Sequence, residues 1–125
     1  MKTVFFTIHG DVPSKKNSRI FVAGGRGGFT IPGKYHQDWH KNASREMLAL
    51  LHKTPCAVTK AQVSIGFYPL TYRKSDLPHR AESIMDLLVN CGVLVDDKWF
   101  AVKKLTLQFG GVDRKDPRAV VTLKV

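Results

Sequence analysis

A chain of 125 residues, 43% of them hydrophobic, is long enough for one compact domain with a real core and too apolar to be disordered throughout. Its 20 lysines and arginines against 10 acids give a formal net charge of +10, an excess that attracts polyanions, nucleic acid first among them, and that says nothing about chemistry. Its apolar runs are too short to span a bilayer, the N-terminus lacks the apolar core of a signal peptide, and Cys56 and Cys91 alone make no disulfide framework, so the expectation is a cytoplasmic protein with reduced thiols and no membrane partner.

The elements follow in chain order. Thr3 to Ile8 is apolar and β-prone and reads as a first strand. A polar basic segment follows, with Lys15, Lys16, Asn17 and Arg19, and Ile20 to Val22 is compatible with a short strand. Gly24-Gly25-Arg26-Gly27-Gly28 is the flexible tip of a hairpin or a loop. From about Lys34 to His52, Tyr35, Trp39, Ala43, Met47, Leu50 and Leu51 recur at spacings of three and four, which predicts a helix with one apolar face. Val63, Ile65 and Phe67 alternate with Ser64, Gly66 and Tyr68, the signature of a strand buried on one face. Arg73 and Lys74 then precede Asp76, and Pro78 suits the first turn of a second helix that runs to about Asn90 and stops at Gly92. Leu105, Leu107 and Phe109 alternate with Lys104, Thr106 and Gln108, and Ala119 to Val125 is valine-rich; both read as strands, with turn chemistry between them. The class is mixed α and β: one small domain over residues 1–125, a small mixed sheet and two main helices.

Asp76, Glu82, Asp86, Asp96 and Asp97 gather in one short stretch flanked by bases. Carboxylates inside a basic protein make sense where a divalent cation must be held beside a phosphate, since the cation offsets the repulsion between the two. On the second helix Ile84, Leu87, Leu88 and Cys91 share one face, while Glu82 and Asp86, four apart, share the opposite one beside His79. Each acid also has a plain structural reading. Glu82 and Asp86 suit a solvated helix face, Asp76 a helix cap, and Asp96-Asp97 a turn, with only one of that pair able to face a shared metal. For Asp97 to approach Asp76 the chain must turn back along the helix after Gly92, because a helix of about fifteen residues spans roughly 20 Å. His36 and His40, four apart on the first helix, have a zinc-compatible spacing but no third ligand, and read as a polar helix face.

The stretch Ser75-Asp76-Leu77-Pro78-His79-Arg80-Ala81-Glu82-Ser83-Ile84-Met85-Asp86-Leu87-Leu88, with Gly92 and then Asp96-Asp97-Lys98-Trp99, resembles the RusA family of Holliday junction resolvases. The shared pattern is an Asp-Leu-acid-Asn start, an amphipathic helix, glycine, a few apolar residues and Asp-Asp. Phe109-Gly110-Gly111-Val112-Asp113 with Pro117-Arg118 is similar to the ending of phage-borne members, and Pro13-Ser14-Lys15-Lys16-Asn17-Ser18-Arg19 is similar to the basic loop after the first strand. The resemblance spans most of the chain. Three positions depart from it: Pro78 stands at the family's second carboxylate, His79 at the following asparagine, and Glu82 at a position that is lysine in the best-known branch, so that Glu82 enters the site as a substitute for the missing carboxylate.

What the resemblance implies is a homodimer acting on branched DNA, four-way junctions above all, by hydrolysis of phosphodiesters with magnesium, manganese being a possible substitute. Asp76, Asp97 and Glu82 are then the catalytic candidates, and Asp86 and Asp96 join them as candidate metal ligands or partners. Lys15, Lys16, Asn17, Arg19, Arg73, Lys74, Arg80 and Lys98 are the candidates for holding the DNA backbone, contacts that position a substrate without reading its sequence. The alternatives are a nuclease for flaps or forks, and a basic DNA-binding protein of the same fold with weakened or lost catalysis.

Overall fold

A computed structural model describes residues 3–14, 19–24, 27–51, 60–71, 77–95, 98 and 101–124. The element order is β1 (Thr3–His9), β2 (Arg19–Gly24), β3 (Gly27–Pro32), α1 (Lys34–Leu51), β4 (Ala61–Tyr68), α2 (Leu77–Asn90), β5 (Val102–Phe109) and β6 (Arg118–Lys124). Four strands form a mixed sheet in the order β1-β6-β4-β5, and β2 and β3 form a separate antiparallel hairpin. Gly24 pairs with Gly27 across the hairpin, whose second strand carries no period-two pattern that local reading detects.

Strand β6 is the last in sequence yet lies inside the sheet, antiparallel to both β1 and β4. Strand β5 pairs parallel with β4, so β4, α2 and β5 make a β-α-β unit whose crossover is the helix. The registers align apolar residues in rows across the sheet. Phe6, Val121, Ile65 and Leu107 make one row, and Ile8, Ala119, Phe67 and Phe109 the next.

Both helices cover the face that carries these rows. Trp39, Ala43 and Met47 of α1 and Ala81, Ile84, Met85, Leu87 and Leu88 of α2 join Phe6, Ile8, Val63, Ile65, Phe67, Val121 and Leu123 in one core. Burial of each large side chain stabilises the fold by about 1.5–3 kcal/mol. The rows run off the sheet at β5, an edge strand: Leu105 and Phe109 are each 44% exposed. The alternation in β5 therefore does not correspond to a buried face, because among the described residues no strand flanks it on that side and α2 covers it only in part.

The face expected of α1 also shifts. Tyr35 is 54% exposed, and His36 takes the inward position beside Trp39. Among the described residues no helix is long and apolar enough to cross a membrane.

Candidate active site

Helix α2 is the element on which the site is built, and its two ends differ in chemistry. At the C-terminal end Gly92 adopts a φ of 76°, a left-handed conformation that costs a residue without a side chain nothing. The Gly92 N–H then donates to the Val89 carbonyl and the Val93 N–H to the Leu88 carbonyl, which closes the helix with a Schellman motif. Leu94 also donates to Leu88, and Leu88, Val93 and Leu94 are all buried. The stop at Gly92 is the one expected from the sequence.

The first half of α2 is lined with polar contacts. Arg80 is turned inward, its side chain 11% exposed, and its Nη1 donates to Asp11 Oδ1 at 3.3 Å. The Ser83 hydroxyl, fully buried, donates to the Pro13 carbonyl at 2.8 Å. With that proton committed, the Ser83 oxygen serves as acceptor towards His36 Nε2, 3.4 Å away, which favours the tautomer protonated at Nε2. Asp11 Oδ1 accepts a second bond, from the Leu70 N–H at 3.0 Å, and the Asp11 carbonyl accepts the Tyr35 hydroxyl at 2.6 Å. Burial, then the nearby Asp11 charge, raise the Tyr35 phenol above its ordinary pKa. Arg80 Nε and Ser14 Oγ are buried without a partner among the described residues.

The outer side of the same half-helix faces β5. Pro78, Ala81, Glu82 and Met85 form one wall of a groove of about 410 Å³, and Val102, Lys103, Lys104, Leu105 and Leu107 form the other. Glu82 is exposed there and Asp86, one turn on, is half-buried. The chain reaches β5 through Lys98, whose carbonyl accepts the N–H groups of Ala101 and Val102. Strand β5 begins five residues after Asp97, and its first residues lie in the wall opposite Glu82, while Asp76 and Asp97, whose approach the sequence argument asked for, both lie outside the described residues.

The expected site residues divide accordingly. Asp76, Asp96, Asp97, Lys15, Lys16, Asn17, Arg73 and Lys74 lie outside the described residues. Glu82 and Asp86 are on the outward side of α2 as expected; among the described residues no three acid, histidine or cysteine side chains converge as a metal site. Lys98 is exposed, and Arg19 opens β2. Arg80, a candidate for the DNA backbone, is largely buried, its guanidinium paired with the partly exposed Asp11 carboxylate. His40 bonds Ser44 and Asn90, and His36 meets Ser83, so both histidines of the candidate zinc pair make protein contacts between and along the helices. Asp11 was missed, since a single acid after a strand carries no pattern.

The segment from Phe109 to Arg118 is tied together by its own side chains. Asp113 accepts the N–H groups of Lys115 and Asp116, and Arg118 Nη1 donates to its Oδ2 at 2.7 Å while the guanidinium stacks on Tyr68. Gly110 leaves room for that ring, since a Cβ there would fall 2.5 Å from it. No protein-family model matches the chain, and no curated protein matches it in sequence.

Proposed function

We propose that this chain is a magnesium-dependent, structure-selective DNA endonuclease that resolves four-way junctions as a homodimer in the cytoplasm. The observation that supports the reading best is the groove between α2 and β5. It holds Glu82 on one wall, and its other wall begins at Val102, five residues after Asp97. Carboxylate oxygens are the hard ligands that magnesium requires, and Asp76, Asp97 and Glu82, with Asp86 or Asp96, would supply them. Bound magnesium supplies neutralisation of phosphate charge and activation of water. The chain's own part is to hold Glu82 and Asp86 on a helix and to grip the backbone through Lys15, Lys16, Asn17, Arg19, Arg73, Lys74 and Lys98. Two-fold symmetry of a dimer suits a substrate that needs two cuts.

The test is nicking of a synthetic four-way junction with and without magnesium, beside linear duplex, flap and fork substrates. Magnesium-dependent paired nicks in the junction, lost in Asp76→Asn and Asp97→Asn while junction binding persists, are the expected result. Binding without cutting by the wild-type chain would favour a DNA-binding protein on the same fold. Pro78, which offers no oxygen where the family pattern has a carboxylate, is the feature that favours this second reading.

A further inference from the structure

Both helices cover one face of the four-stranded sheet, and the opposite face is open. The side chains that alternate with the core residues of β1, β6, β4 and β5 point to it. The registers set them in rows. Phe5, Thr122, Ser64 and Thr106 make one row, and Thr3, Lys124, Gln62 and Lys104 make the next. No described strand residue of this face is acidic, although the chain carries ten acids. The acids that reach its rim are matched there: Glu46 meets His9 Nδ1 at 2.6 Å, and Asp113 accepts from Arg118.

Three features mark this face for a ligand. Phe5 is 69% exposed, an aromatic ring standing in water among hydroxyls. A depression of about 230 Å³ lies over Gly66, whose missing side chain leaves its floor bare; Ser64, Thr106, Gln108 and Thr122 offer hydrogen-bonding groups around it, and Tyr68 borders it. Lys124 and Lys104, both exposed, stand on either side of Gln62, about 10 Å apart across two strand spacings.

Each feature matches one part of a nucleotide. Cations with no carboxylate beside them attract phosphate, hydroxyls and amides hydrogen-bond to a phosphodiester or a base edge, and an exposed ring stacks on a base. A duplex hides the faces of its bases, whereas a single strand presents them. We propose that the open sheet face is a binding site for single-stranded nucleic acid: one base stacks on Phe5, a second lies in the depression over Gly66, and Lys124 and Lys104 hold the phosphates. The site lies across the sheet from α2 and does not depend on the proposed nuclease reading.

The test is binding by the full chain, read from the anisotropy of short fluorescein-labelled oligothymidylate and oligouridylate and of a DNA duplex of the same length, across a salt series. Phe5→Thr removes the ring and keeps a β-prone residue like its neighbours in the row. Lys124→Gln removes one cation from the face, and Lys41→Gln removes one from the exposed side of α1. Urea unfolding confirms that each variant is folded.

Phe5→Thr should weaken single-strand binding about fivefold to a hundredfold, the scale of one lost stacking contact, and leave duplex binding unchanged. The probe that loses more identifies the sugar of the natural strand. Lys124→Gln should make the salt dependence of single-strand binding shallower by about 0.7 in logarithmic slope, the value for one phosphate contact, and Lys41→Gln should leave the slope as it is. A folded Phe5→Thr chain that binds both single strands as the wild-type chain does overturns the proposal. Equal changes of slope for Lys124→Gln and Lys41→Gln overturn it as well, because they show diffuse attraction to the whole basic surface. Cleavage is not the readout, so a chain that never cuts a junction refutes the nuclease reading and leaves this site standing.

Discussion

The two ends of α2 solve the same problem with opposite chemistry. The C-terminal end is closed by backbone bonds and aliphatic side chains: Gly92, Leu88, Val93 and Leu94, all within seven residues of one another. The N-terminal half is held by side chains reaching in from far along the chain: Asp11 and the Pro13 carbonyl on Arg80 and Ser83, with His36 behind. Apolar packing is indifferent to small displacements of polar groups, whereas a buried hydrogen-bond network has one satisfied arrangement and is costly when broken. The contrast teaches that one helix can be closed locally at one end and fixed by distant side chains at the other: the polar network lies in the N-terminal half of α2, and the local closure lies at its C-terminal end.

Four measurements can break or sharpen that contrast. The largest effect belongs to the apolar end. Leu88→Ala removes a fully buried side chain and should cost about 2–5 kcal/mol in urea unfolding. A loss below that range would mean that the C-terminal end is not closed by packing.

Next comes the polar end. Ser83→Ala is nearly isosteric, so it opens little cavity but strips the Pro13 carbonyl of its donor and His36 Nε2 of its acceptor. The expected cost is about 1–3 kcal/mol, seen as a lower urea midpoint at unchanged slope. An unchanged midpoint would show that the network contributes nothing to stability and would dissolve the contrast.

Gly92→Ala should cost less, about 1–2 kcal/mol, because it forces a Cβ into a left-handed conformation at a φ of 76° and meets no neighbour. Gly92→Asn should recover part of that, since asparagine tolerates this region. Equal losses for Ala and Asn would mean that φ is not the cause.

The smallest effect tests a surface turn against the buried corner. Hydrogen bonding from Arg118, then from the Asp116 N–H, holds the Asp113 carboxyl below the ordinary aspartate range. A depressed folded-state pKa contributes stability that is present above the unfolded value and is lost as pH falls through the folded one. Asp113→Asn should therefore flatten the acid side of the stability curve slightly, solvent screening keeping the change small. A curve identical to the wild-type curve at acid pH would remove the Arg118 pair from the account.

Much of this molecule is local and was legible as such. The periods of two in β4 and near four in α2 mark their buried faces, and Gly92 marks the helix stop, because these signals depend only on neighbours within a turn or a strand. Tertiary structure alone decided the rest. Leu105 and Phe109 have the same alternation as Val63 and Phe67, yet they stay half in water because β5 is at the edge and β4 is not. Periodicity reports a face, and only the neighbouring strand or helix decides whether that face is covered. In the same way nothing local distinguishes Arg80 from an exposed arginine. Asp11, 69 residues away, turns it inward, since a largely buried guanidinium is tolerated only where an anion meets it.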